Sequence, residues 1–271
     1  MGSFQPKRRA RPAGGEPSEG GVPKIIRPYL FESLDWLNCG MTTRVAAEAD
    51  EPRLGVAADL PTLLGLEPVP VVVGEQVHGH RLAVVGSDVE DSEQVESGEV
   101  FEVPGADGVV ASEPGWLVGV FTADCVPVTL VDRRSRRVAV AHAGRKGTLL
   151  GIATWALRHL EKLGSSAEDL LVWIGPSVCG YHYEVSEEMA AEFRDHFSHF
   201  PGAIGGDEFR NLNLGVINWC QLVQAGLRPD QIELDARCTF EEDDLFYSYR
   251  RDGGTGGRML TFAHARGEAC G

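Results

Sequence analysis

Val118-Gly-Val-Phe-Thr-Ala-Asp-Cys-Val-Pro-Val-Thr-Leu-Val131 and, shortly after it, Arg137-Val-Ala-Val-Ala-His-Ala-Gly-Arg-Lys-Gly147 are two strand-like apolar runs. The first is interrupted by Thr122-Ala-Asp-Cys125. The second ends at His142, where a glycine-flanked turn leads into a predicted helix. Outward from there, an apolar run over 69–73 breaks at Gly74-Glu-Gln-Val-His-Gly79, and another strand-like run follows over 81–85. Cys125, His142 and His78 therefore each stand where a strand breaks. One thiolate and two imidazoles on separate loops make a tetrahedral zinc site with one position left open. No two of the three share a short metal-finger spacing. Spacing alone therefore favours the plainer account, with Cys125 a small buried hydrophobe and both histidines satisfied loop residues.

The rest of the chain gives a mixed pattern. Residues 57–66 carry Leu60, Leu63 and Leu64 at helical spacing, with Asp59 and Pro61 placed as cap and early-turn residues. Over 148–163, Leu149, Ile152, Trp155, Ala156, His159, Leu160 and Leu163 share one face and Gly164 follows, which predicts a single amphipathic helix with His159 at the core or its boundary. Leu170–Ile174 reads as a buried strand, 186–193 and 214–227 as helices, and Ile232–Leu234 and 257–262 as late strands. Residues 25–43 form an initial strand-like run. Regular βαβ alternation is missing, so the predicted class is α+β, a mixed layered α/β sheet in a single domain over 25–271. Residues 1–24 mix Gly, Pro, Ser, Arg and Glu with hardly any large apolar side chain and read as a disordered tail. The acidic stretch 86–102 reads as a solvated loop, because it lacks the glycine-centred register of an EF-hand calcium site. Cys179 and His182, spaced C-x-x-H, are half a metal site with no second pair to complete it.

The chain has 271 residues, 43% hydrophobic and 24% charged, with a net charge of −15. That length supports a large core. The charge argues against a nucleic-acid surface, whose phosphates require a basic stripe. Six cysteines scattered over this length read as reduced thiols rather than a disulfide framework. No apolar region follows the basic N-terminal residues and no run approaches a membrane span, so the expected compartment is the cytoplasm.

Taken together and in order, Gln76-Val-His-Gly79, Ala106-Asp-Gly108, Thr122-Ala-Asp-Cys-Val-Pro127, Ala141-His-Ala-Gly144, Ile174-Gly-Pro176, Tyr183-Glu-Val185, Cys238-Thr239 and Phe246-Tyr-Ser-Tyr-Arg-Arg-Asp-Gly-Gly254 resemble the YfiH or laccase-domain family over about residues 25–265. The resemblance implies a single α/β domain with zinc held by His78, Cys125 and His142. It also implies phosphorolysis of adenosine, inosine, guanosine and methylthioadenosine, with adenosine deamination in the same pocket. Purine nucleosides and phosphate are the expected partners, without nucleic acid or membrane, and the expected state is a monomer or weak dimer. Arg44, Gln76, Arg145 and Lys146 are the candidate substrate and phosphate contacts. Asp124 reads either as a proton carrier beside Cys125 or as a turn carboxylate capping backbone groups.

The sequence departs from the family pattern at the turn after His142. The usual H-A-G-W-R-G is His142-Ala-Gly-Arg-Lys-Gly147 here, and lysine keeps the charge of arginine while losing its bidentate fork. The family's S-x-R-x-G-G-V-S loop is cut to Thr42-Thr-Arg-Val45, and His182 stands where relatives often carry cysteine. A copper oxidase would need many paired imidazoles. Eight histidines with one H-x-H pair, His78-Gly-His80, argue against it. The remaining alternatives are a hydrolase with Cys125 as nucleophile, a non-enzymatic zinc protein, and a role in proofreading a cell-wall precursor.

Overall fold

Leu117–Thr122, Val126–Asp132 and Val138–Ala143 are buried at every position. Strands of that kind belong to sheets covered on both faces. A computed structural model describes residues 24–46, 53–86, 96–205, 210–254 and 256–267 and supplies those covers. One six-stranded sheet runs Ile25–Ile26, Leu37–Thr42, Met259–Ala265, Leu117–Thr122, Val71–Gly74, Val100–Val103 in spatial order. The other runs Ile232–Leu234, Leu170–Ile174, Val126–Asp132, Val138–Ala143, Gly108–Ala111, Ala83–Val85. Both are mixed, with antiparallel centres and parallel pairs toward their edges.

Side-chain alternation along the strands sorts the core into layers. Val118 and Val120 of one sheet and Val138 and Val140 of the other meet in one cluster between the sheets, with Met41, Val109 and Trp173. The opposite parity of the second sheet, including Val128, Leu130, Ala139 and Ala141, packs under three helices. These are Ile152–Lys162, Glu187–Phe197 and Leu214–Gln224. On the outer face of the first sheet, Leu117, Phe121, Leu260 and Phe262 are covered by Ala57 and Leu60 of the helix Arg53–Leu63. The architecture is α/β/β/α, a mixed α/β fold as the sequence predicts. No helix among the described residues is long and apolar enough to cross a membrane.

Several boundaries differ from the sequence reading. The expected helix over 148–163 is two helices, Arg145–Leu149 and Ile152–Lys162, because Gly151 turns left-handed at φ 73. Its buried face is Ile152, Ala153, Ala156, Leu157 and Leu160, while Trp155 is exposed and His159 lies at the boundary, its Nδ1 2.8 Å from the carbonyl of Trp155. The first helix begins at Arg53, so Pro61 falls in its last turn rather than its first. Residues 25–43 divide into two strands around a short turn at Tyr29–Phe31. Glu102, read as part of an acidic loop, lies in a strand and pairs with Arg53. Residues 1–23 of the expected tail and 87–95 of the acidic stretch lie outside the described residues.

The two sheets are joined where the candidate ligands sit. Val71–Gly74 and Leu117–Thr122 are parallel neighbours, so both leave the first sheet at the same end. Each then crosses to the second sheet, the former through the His78 loop into Ala83–Val85 and the latter through Ala123-Asp-Cys125 into Val126–Asp132. Pro127 pairs with His142 across the second sheet, which brings the end of Val138–Ala143 beside Cys125.

Candidate metal centre

His78, Cys125 and His142 converge at this end of the sandwich, each offering a donor atom within 4.8 Å of the others. The two imidazoles meet edge to face, with centroids 4.9 Å apart at 80°. His142 is buried, Cys125 is half-buried and His78 is exposed, so the cluster opens to solvent on the His78 side. One thiolate and two imidazoles with access from one side are the donor set of an open zinc site.

Each donor is held by the backbone around it. His142 Nδ1 faces Asp107 Oδ1 at 3.0 Å, and Asp107 Oδ2 accepts from the amide of Gly79 at 2.7 Å. Asp107 is fully buried. One carboxylate thus orients His142 so that Nε2 is left for a metal, and pins the loop carrying His78. Nothing in the sequence assigned this role to Asp107. The available signal was an acid standing directly before an entirely buried strand, Gly108–Ala111. Gln76 acts similarly: its amide donates to the carbonyl of Phe121 at 2.6 Å and accepts from the Phe121 N–H at 2.7 Å. This clamps the His78 loop to the strand leading to Cys125, and both polar ends of the Gln76 side chain have these backbone partners.

Gln76, His78 and Asp124 have positive φ values of 63, 60 and 92°. Left-handed conformations in non-glycine residues persist where their surroundings over-determine them. At Asp124 the determinants are visible: Oδ1 accepts from Thr239 Oγ1 at 2.7 Å, Oδ2 from the amide of Arg250 at 2.6 Å, and its carbonyl from the amide of Val178 at 3.0 Å. Asp124 thereby ties three segments around Cys125.

The charges at the centre oppose one another. Burial pushes the Cys125 thiol up, but hydrogen bonds and charge from His142 and His78 overcome this and hold it near 6. Burial pushes His142 down, while Asp107 and Cys125 raise it to about 9. Near neutral pH the metal-free pair is a thiolate beside an imidazolium, and a metal entering must displace the imidazolium proton. Between pH 6 and 9, uptake is expected to release about one proton from His142, so affinity rises with pH. Above about 9 this dependence disappears, and below about 6 it steepens because Cys125 is protonated as well. Calorimetric titration of zinc in buffers of different ionisation enthalpy measures the release directly. A pH-independent affinity between 6 and 9 would contradict the ion pair.

Gly144, two residues after His142, has ordinary φ −68 and ψ 179, so its backbone conformation does not require glycine. Space does. An added Cβ would lie 3.2 Å from Cys125 Sγ, 3.3 Å from His78 Cδ2 and 3.5 Å from His142 Cε1. Gly144→Val is therefore expected to force the three donors apart and lower zinc affinity at least tenfold, with little change in the melting temperature of the metal-free protein. Equal affinities in a chelator competition would show that the donors adjust.

The candidate cations are distributed unevenly. Arg145 points toward Glu192, 3.9 Å away, while Lys146 is exposed. Arg44 stacks on Tyr247 with its guanidinium carbon 5.2 Å from the ring centroid and donates to the carbonyl of Asp243. Two residues outside the sequence-derived set bear on the centre, Tyr183 and Arg250, the latter through its amide bond to Asp124 beside Cys125. Arg250 lies over Tyr183 at 5.2 Å, and the Tyr183 phenol is raised by burial and by the charge of Cys125 against the pull of Arg145 and Arg250. Both arginines thus exert their charge on a phenol that also senses Cys125.

An α/β/β/α sandwich with two histidines and a cysteine where its sheets exchange strands defines the class. The family model described as multi-copper polyphenol oxidoreductase laccase matches residues 32–266, and the chain belongs to that family. It is 34% identical over 214 residues to a protein of Corynebacterium glutamicum named purine nucleoside phosphorylase, covering 76% of this chain and 80% of that one. A protein of the same name from Deinococcus radiodurans is 33% identical over 250 residues, 88% of this chain and 89% of its own. Among solved structures, the Bacillus licheniformis hypothetical protein YfiH superposes with a TM-score of 0.79 at 26% identity, covering 90% of this chain and 97% of that one. YlmD from Geobacillus stearothermophilus gives 0.76 at 28% identity, with 92% and 98% covered.

Proposed function

We propose that the protein is a zinc-dependent purine nucleoside enzyme. In this reading it cleaves adenosine, inosine, guanosine and methylthioadenosine with phosphate and deaminates adenosine at the same centre. The observation that carries it is the convergence of His78, Cys125 and His142, oriented by Asp107, in a chain whose relatives bear the name purine nucleoside phosphorylase. His78, Cys125 and His142 would hold the zinc ion, which would supply a Lewis acid when bound.

The other roles fall to the chain itself. Phosphorolysis transfers the ribose C1′ from the purine nitrogen to a phosphate oxygen, so phosphate must be held beside the sugar and the leaving base stabilised. Arg145 and Arg250 are assigned to the phosphate because their charges flank Tyr183 near Cys125. The Tyr183 phenol, held above its ordinary range, stays protonated at neutral pH and is available as a hydrogen-bond donor to the nucleoside. Gln76 and Asp124 position loops rather than contact substrate, since the carboxylate and the amide already bond within the protein. Lys146 and Arg44 are peripheral contacts in this reading.

The test is product analysis with adenosine and inosine, with and without phosphate, before and after chelation. Free base and ribose 1-phosphate are expected only with phosphate, and inosine from adenosine in either case. Chelation should stop both. Base release that needs no phosphate, or turnover that survives chelation but not thiol alkylation, would move the function to a hydrolase using Cys125.

A further inference from the structure

Cys179 and His182 are joined in space by Cys238 and Glu241 from a distant loop, and all four donor atoms lie within 4.8 Å of one another. We propose that Cys179, His182, Cys238 and Glu241 bind a second, structural zinc ion, separate from the His78–Cys125–His142 centre. Four of the six distances between donors are close to the edges of a zinc tetrahedron. Zinc bonds of about 2.0–2.3 Å at tetrahedral angles require donor–donor edges of roughly 3.3–3.8 Å. His182 Nδ1 lies 3.3 Å from Cys179 Sγ, 3.8 Å from Cys238 Sγ and 3.3 Å from Glu241 Oε1, and Cys179 Sγ is 3.9 Å from Glu241 Oε1. One ring nitrogen thus faces two sulfurs and a carboxylate at once. A single imidazole proton cannot serve three such neighbours, whereas one cation at their centre can.

The donor types point to zinc, for which two soft thiolates with an imidazole and a carboxylate complete four-coordination. Both cysteines are free thiols. Cys238 is buried, its sulfur accepts the amide of Cys179 at 3.3 Å, and the His182 ring stacks on Phe240 with centroids 4.4 Å apart at 14°. Glu241 remains about half exposed and closes the site from the solvent side.

Position explains what such an ion would do. The two loops already meet at a bridge between Ser177 and Cys238. Thr239, next to one ligand of the second site, bonds Asp124, next to Cys125 of the first. Tyr183 follows His182 directly. The second ion would therefore brace the wall that carries Tyr183 and the Asp124 contacts of the first centre.

The test uses the full-length Cys125→Ala variant, which disables the first centre. Loaded with zinc and desalted, it is expected to keep about one zinc per chain, and its cobalt(II) form to show a strong sulfur-to-metal charge-transfer band. Adding Cys179→Ser should cut the band to about half or less, since one of the two thiolates, Cys238, remains. Because a cysteine replacement can disturb the fold, exposed Glu241→Ala serves as a second variant. It should weaken zinc binding about tenfold or more, comparable with loss of a supporting ligand partner, without altering the circular dichroism of the metal-free protein. Cys125→Ala without retained zinc, a cobalt band indifferent to Cys179→Ser, or a Cys179–Cys238 disulfide in protein prepared with zinc and no oxidant would overturn the proposal. Failure of nucleoside turnover in the wild type bears on the first centre alone.

Discussion

Cys125→Ala is expected to lose nucleoside turnover beyond detection while the protein folds normally. Cys125 is half-buried and its sulfur faces the two histidines rather than the apolar core, so its removal leaves no large cavity. It removes one of the three proposed ligands and, after Asp107, the second group that raises His142. Loss of an outer-shell partner alone typically costs about 10–100-fold in metal affinity or activity, and loss of a ligand should exceed that. Zinc content by elemental analysis should fall by one per chain, with the melting temperature of the metal-free form within a few degrees of wild type. A zinc content equal to that of the wild type, with turnover intact, would remove the first centre from the mechanism. Retention of zinc at that centre with loss of turnover would instead favour Cys125 as a nucleophile.

Asp107→Ala has the second largest expected effect, and it acts on metal binding and stability together. The carboxylate is fully buried between the His142 ring and the Gly79 amide. Truncation leaves the buried His142 donor without an acceptor, costing about 1–3 kcal/mol, and releases the part-buried Gly79 amide. It also frees the His142 ring to rotate and adopt the other tautomer, so zinc affinity should fall by roughly 10–100-fold. Asp107→Asn separates the two effects. Its single oxygen can satisfy one donor but not both, so it should recover part of the stability and less of the affinity. Thermal unfolding with chelator, paired with a zinc competition titration, measures both. An Asp107→Ala protein with wild-type zinc affinity would show that the ring is held by packing alone.

Local pattern carried a good deal of this protein. A largely buried run such as Leu170–Ile174 was readable because apolar side chains at consecutive positions demand cover on both faces. The three donors of the first centre stood out because each interrupts such a run. The mixed α/β class followed from strands and helices that do not alternate regularly. A helical period cannot reveal a left-handed glycine inside it, which is why Gly151 divides what reads as one helix.

Tertiary structure alone decided which residues meet. His78 and Cys125 are neighbours because two strands pair in parallel and cross to the other sheet at the same end, a relation between segments far apart in the chain. Asp107 gains its role only when it is buried against His142 and Gly79, and Asp124 only when Thr239 and Arg250 reach it. Cys179 and His182 are half a site in sequence, since Cys238 and Glu241 join them through a loop contact that no short spacing encodes. Side-chain period is a local property set by backbone geometry. Donor convergence is a long-range property set by strand pairing and chain crossing, and so it had to be read from the folded chain.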